Sequence, residues 1–214
     1  MIGSKALAEF FGTATLLLAV VGSSFMAERL TQDSALALFI NATVTAAVLA
    51  LIIRSGVNLS GAHFNPVVTL TALLLGKIKA LEALVYLIAQ VLGAIFGVIL
   101  ANLMFAEVVF SSSSIQRGGV AQLLGEVIAT TGLVFIAFSA RKKHVWKLIP
   151  LWIFGAYFFT VSTSFANPAV TLARFFTEAP AGIAGSSLPG FIAAQLLGAL
   201  LVLAVLRNRE RISR

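Results

Sequence analysis

The chain has 214 residues, of which 59% are hydrophobic and only 11% are charged. A soluble domain of this size needs about a quarter of its residues charged to cover its surface, so lipid must cover much of this one. The absence of cysteine excludes disulfides, thiolate metal sites and cysteine nucleophiles, and the net charge of +7 sits at the ends of apolar runs, which points to membrane topology and away from nucleic acid.

The predicted elements follow in chain order. Apolar stretches of about 20 residues, long enough to cross the hydrocarbon core as helices, fall near 6–27, 34–54, 82–105, 120–140, 147–164 and 189–207. The first is too long, and carries Glu9 too near its start, to be a cleaved signal peptide. Two further apolar segments, about 65–76 and 167–177, are too short to cross, and each opens with Asn-Pro. Short apolar helices of this kind are core or re-entrant elements.

The loops set the orientation. With both termini on one side, that side carries Lys5, Arg54, Lys77, Lys79, Arg141, Lys142, Lys143, Lys147, Arg207, Arg209, Arg211 and Arg214, against Arg29, Arg117 and Arg174 opposite. The positive-inside rule places the richer side, and both termini, in the cytoplasm. The Ser-rich stretch 111–114 and the Gly-Ser run 182–190 then read as external loops, and the whole of 1–214 as one membrane domain.

Three landmarks occur twice in the same order. Ala8-Glu9-Phe10 is echoed by Gly125-Glu126-Val127, Asn65-Pro66-Val67-Val68-Thr69-Leu70 by Asn167-Pro168-Ala169-Val170-Thr171-Leu172, and Ala89-Gln90-Val91-Leu92-Gly93-Ala94 by Ala194-Gln195-Leu196-Leu197-Gly198-Ala199. The spacings are 117, 102 and 105 residues, dividing the chain into repeats of about 1–105 and 119–207. Each repeat holds three spans, so the second must enter the bilayer inverted, with the interrupted helices at the midplane.

Asn caps helices and Pro suits their first position, so each motif begins a half-helix. The two N-termini face one another near the bilayer centre, each with roughly half a positive charge. That potential opposes cations and protons and spares neutral solutes. Asn65 and Asn167 are each expected to keep one amide N–H for a passing solute. Glu9 and Glu126, at equivalent positions, are expected to accept bonds from the backbone of the two re-entrant loops. A proton relay is the alternative role for such intramembrane acids. Gln90 and Gln195, each followed by Gly-Ala, are read as polar tethers on tight helix-packing faces.

The segment Ser60-Gly61-Ala62-His63-Phe64-Asn65-Pro66-Val67-Val68-Thr69, with Phe165-Ala166-Asn167-Pro168-Ala169, resembles the aquaporin (major intrinsic protein) family, and the resemblance covers essentially the whole chain. It implies an all-α, six-transmembrane bundle with two re-entrant half-helices and an inverted repeat, in a homotetramer with one pore per subunit. The solutes are small and neutral, no cofactor, metal or enzymatic activity is implied, and the setting is a bacterial inner (plasma) membrane. The pore motifs are Asn65, Pro66, Val67, Asn167, Pro168 and Ala169.

In that family four positions set the outer constriction. Counting without gaps from the Asn residues gives Thr45 (with Val44 as the alternative), Gly155, Ser164 and Val170. Water-selective relatives place Phe, His, a small residue and Arg there, so this filter reads as wide and arginine-lacking. Such a filter resembles the bacterial aquaporins associated with arsenic resistance, which implies passage of glycerol-like polyols, uncharged arsenite and methylated arsenicals as well as water. His63 lines the cytoplasmic vestibule by the same resemblance. Arg174 lies one turn beyond Val170, about 6 Å further out. It is either a displaced filter cation or an arginine bonded to headgroups or loop carbonyls. An ordinary water or glycerol channel and an ion-coupled secondary transporter remain as alternatives. The transporter needs a coupling site that the sequence does not display.

Overall fold

A computed structural model describes residues 2–212. Arg214 of the basic set lies outside them, and the side chains of Arg209 and Arg211 are likewise outside the description. The elements are α1 (Ile2–Leu30), α2 (Ser34–Gly56), α3 (Pro66–Leu74), α4 (Ala80–Met104), α5 (Gly119–Ser139), α6 (Val145–Phe159), α7 (Pro168–Ala173) and α8 (Leu188–Ile212). Short 3-10 turns lie at Lys142–His144, Arg174–Phe176 and Gly185–Ser187.

Among the described residues, α1, α2, α4, α5 and most of α8 are long and apolar enough to cross a membrane. The sixth crossing helix, α6, has 15 residues, about 22 Å at 1.5 Å per residue. The hydropathy pattern extends it to 164, but residues 160–164 leave the helix, Thr160 being extended at φ −112° and ψ 134° and Thr163 and Ser164 having positive φ. Likewise α7 stops at Ala173, and the apolar run continues as the 3-10 turn.

The packing repeats itself. Helix α1 lies against α4 and α2, as α5 lies against α8 and α6, and α2 meets α6 across the divide. Each half-helix packs on the last long helix of both halves, α3 and α7 each touching α4 and α8. Glycine permits the closest approach. A Cβ at Gly93 would fall on the carbonyl oxygen of Phe10, and one at its counterpart Gly198 would press on that of Val127. Small residues serve this purpose where no water separates helices and close van der Waals packing must hold them.

The outward surface is apolar, with Leu7, Phe11, Leu51, Leu81, Leu84 and Leu151 all exposed. In water such a surface would aggregate, whereas in a bilayer it is the solvated face. One end of the bundle gathers the basic residues. There Lys5 pairs with Glu82 at 2.8 Å, Arg54 lies over Trp146, Lys77 over Phe138, and Arg207 donates to the Leu74 carbonyl. At the other end the 105–118 and 174–187 connections are tied together. Ser113 N donates to Phe175 O, Ala184 N to Ile115 O, and the Asn102 amide to Phe176 O.

Candidate functional site: the passage between the half-helices

Both half-helices start as their sequences dictate. Asn65 and Asn167 are extended, at φ −158° each, and Pro follows at the first helical position. The Asn65 Oδ1 accepts from Val67 N at 3.1 Å, and the Asn167 Oδ1 from Ala169 N at 3.0 Å. These caps satisfy donors that a helix start otherwise leaves unpaired. The amides then cross over. Asn65 Nδ2 donates to Ala166 O and Asn167 Nδ2 to Phe64 O, both at 2.8 Å. The two helix starts are therefore bolted to each other, and each amide has its second N–H left over.

The carbonyls that receive these bonds sit in strained backbone. Ala62 and Phe64 in the first loop, and Thr163, Ser164 and Ala166 in the second, have φ between 47° and 59°. Left-handed backbone at non-glycine residues costs about 1–3 kcal/mol each and persists only where its surroundings over-determine it. Two buried carboxylates do so here. Glu9 accepts from His63 N at 3.0 Å, Phe64 N at 2.6 Å and Ser60 Oγ at 2.6 Å. Glu126 accepts from Phe165 N at 2.9 Å and Ala166 N at 2.8 Å. Gln90 Nε2 links Glu9 to Thr69 Oγ1, and Gln195 Nε2 links Glu126 to Thr171 Oγ1. The glutamines are thus part of the loop clamp as well as of the helix contacts.

One cavity of about 140 Å³ runs beside the crossed amides. Asn65, Asn167, His63, Thr45, Ser164, Val170 and Arg174 line it; Val44 and Gly155 do not. Pro66, Val67, Pro168 and Ala169 stand behind the amides as the start of each half-helix. The ungapped count from Asn167 therefore gives an α6 residue, Gly155, that is not among those lining this cavity. The face that α6 turns inward is Val145, Ile149, Ile153 and Tyr157, a run at the four-residue spacing that stacks side chains along one helix stripe. Gly155 lies off that stripe, nearest the ring of Phe159. Tyr157, buried, donates to Thr45 Oγ1 at 3.3 Å. The wall so carries an aromatic ring that the sequence reading removed, and the four-residue run was the signal for it.

The wall also carries an arginine. Arg174 is 3% exposed. Its Nε donates to the Ala181 carbonyl, and its guanidinium lies over the Phe165 ring, 3.4 Å from the centroid. It bonds a loop carbonyl and faces the cavity at once, so the passage is not free of arginine as Val170 alone suggests. Ser164 Oγ is buried and has no protein partner, a polar group that a solute hydroxyl can satisfy. At the basic end, His63 Nδ1 lies 3.0 Å from Thr69 Oγ1 and its ring meets Tyr86 edge-on. Among the described residues no group of three or more His, Asp or Glu could hold a metal ion.

Two opposed half-helices, clamped in an apolar bundle around a partly polar cavity, define a membrane channel. The comparisons with known proteins agree. The model of the family described as major intrinsic protein matches residues 2–163. The chain is 47% identical over 206 residues to "Aquaglyceroporin AqpS" of Rhizobium meliloti (strain 1021), covering 95% of this chain and 88% of that one. It is 34% identical over 161 residues to a probable TIP-type aquaporin of Medicago truncatula, spanning 69% of this chain and 62% of the relative. The solved structure of the aquaglyceroporin from Plasmodium falciparum superposes with a TM-score of 0.73, covering 95% of both chains at 16% identity, a likeness of fold. The chain belongs to the major intrinsic protein family. It is a multi-pass membrane channel for small neutral solutes and not an enzyme.

Proposed function

We propose that the chain passes glycerol-like polyols and uncharged arsenous acid, with water, through a constriction formed by Thr45, Tyr157, Ser164 and Val170, and that Arg174 supplies its cation. The observation that carries this reading is the composition of that ring. It holds one small hydroxyl without a protein partner, a Thr–Tyr hydroxyl pair, and one valine where water-selective relatives place an arginine fork. Glycerol and arsenous acid each present three hydroxyls on a compact neutral body, and such a wall offers hydroxyl partners on one side and apolar contact on the other. The 47% identity to a protein named an aquaglyceroporin supports the polyol part. Tyr157 narrows the ring relative to one closed by Gly155, so the preference is for three-carbon polyols and similar solutes and not for larger sugars.

Cations and protons are opposed by the half-helix N-termini and by Arg174, all positive and all at the cavity wall. Glu9 and Glu126 are structural acids in this reading, since every oxygen bond they make goes to loop clamps. His63 belongs to the vestibule at the basic end. That end, with both termini, is cytoplasmic by the positive-inside rule, in a plasma membrane. Assembly is as a homotetramer of single 1–214 channel domains, each with its own passage.

The test is stopped-flow flux in proteoliposomes. Glycerol and arsenous acid cross several-fold faster than in empty vesicles, linearly with the gradient and without an ion gradient. Rates equal to those of empty vesicles, beside rapid water flux, would leave an ordinary water channel. Saturable accumulation driven by sodium or protons would make the chain a transporter.

A further inference from the structure

The mouth at the end opposite the basic face opens into a second cavity of about 300 Å³, which shares Arg174 with the passage. Arg117 lines it too. Both guanidinium groups lie on one aromatic ring, Arg174 at 3.4 Å and Arg117 at 5.1 Å from the Phe165 centroid. Their carbons are therefore at most about 8.5 Å apart, the sum of those two distances. Among the described residues neither forms an ion pair. Arg117 is committed through Nε to Gly182 O at 2.7 Å and through one terminal nitrogen to Pro180 O at 2.8 Å. Arg174 commits Nε to Ala181 O, and among the described residues its terminal nitrogens carry no hydrogen bond.

Two like charges held this close, Arg174 buried and Arg117 half-buried, form an arrangement that an anion relieves. The acid whose charge reaches both, Glu126, is already committed to Phe165 N, Ala166 N and Gln195 Nε2. Planar guanidinium donors match the paired oxygens of a tetrahedral oxyanion better than they match a halide. Thr163 lies on the same wall, as does Asn41, whose amide donors are taken by Val20 O and Ser23 Oγ and add nothing for an anion. The carboxylates of Glu28 and Asp33 also line this cavity, from exposed positions. Asp33 Oδ1 is held by Ala35 N and Leu36 N as the cap of α2.

We propose that this vestibule is a binding site for a small tetrahedral oxyanion of the sulfate or phosphate kind, which seats between Arg117 and Arg174 and obstructs the passage from that end. The binding claim rests only on the two arginines and their cavity. The obstruction rests on the channel reading given above, so the two are measured apart.

Calorimetric titration of the full chain in detergent uses potassium sulfate against potassium chloride at equal ionic strength. Saturable binding of sulfate and none of chloride is expected. Arg117→Gln and Arg174→Gln each weaken sulfate at least about tenfold, in line with the loss of a charged hydrogen-bonding partner. Glu28→Gln, at an exposed residue outside the passage wall, tightens sulfate about two- to fivefold by removing a like charge from the cavity. That gain is one that a purely structural role for the arginines would not produce. Equal heats for the two salts, or a Glu28→Gln protein that binds sulfate no more tightly than the parent, overturn the site. If sulfate binds while external sulfate leaves glycerol flux in proteoliposomes unchanged, the obstruction is overturned and the binding stands.

Discussion

In the first re-entrant loop the left-handed run begins at Gly61 and carries His63 against Thr69 and Tyr86; in the second it begins at Thr163 and carries Phe165 under two guanidinium groups. Beneath those side chains the frames are alike. A buried glutamate takes two consecutive backbone N–H groups, a glutamine joins that glutamate to a half-helix threonine, and an asparagine amide reaches the opposite loop's carbonyl. One frame thus presents a neutral, ring-and-hydroxyl surface toward the basic end and a cationic one toward the other. Duplication conserves what the backbone must have, and the two mouths diverge where only side chains differ.

The clamps also differ in one bond. Glu9 serves four donors, since Ser60 Oγ joins the two backbone groups and Gln90. Glu126 serves three, because Ser162 Oγ turns to Thr160 instead. The largest expected effect is therefore from Glu9→Ala, a loss of about 3–5 kcal/mol as buried donors are orphaned. Glu126→Ala is expected to cost about 1 kcal/mol less. Unfolding in detergent measures both, and equal losses would erase the distinction between the loops.

The crossed amides are a place where the loops should behave nearly alike, Asn167 Oδ1 accepting from Val170 N at 3.4 Å as well as from Ala169 N. Asn65→Ala and Asn167→Ala each remove one cap and one cross-loop bond, worth about 2 kcal/mol together. The double variant should cost less than the sum, because either change alone already loosens the opposite loop. Strict additivity would mean that the two helix starts are not coupled.

Tyr157→Ala is expected to act on transport and hardly on the clamps. Glycerol flux rises several-fold relative to water as the ring leaves the wall, and the ratio from paired stopped-flow traces checks it. Gly155→Ala is the smallest change of the series. Its Cβ meets nothing closer than the Phe159 ring at 3.6 Å, so stability rises by at most about 1 kcal/mol, as for alanine in place of a mid-helix glycine, and the glycerol-to-water ratio holds. A shifted ratio would return Gly155 to the constriction in place of Tyr157.

Sequence by itself determined the architecture. Span length, the two Asn-Pro starts, the paired glutamates and the charge asymmetry are local or repeated, and repetition marks the positions whose backbone bonding must be met inside a bilayer. Which side chains reach the passage was settled only by the tertiary structure. A helix turns about 100° per residue, so the two residues that separate Gly155 from Tyr157 put them on nearly opposite sides of α6. Likewise Arg174 reads as lying beyond the filter when counted along a half-helix. It becomes part of the wall because α7 ends at Ala173 and the following turn folds the guanidinium back onto Phe165. Hydrophobic period and capping are written in neighbouring residues, whereas the facing of a side chain depends on where distant segments end.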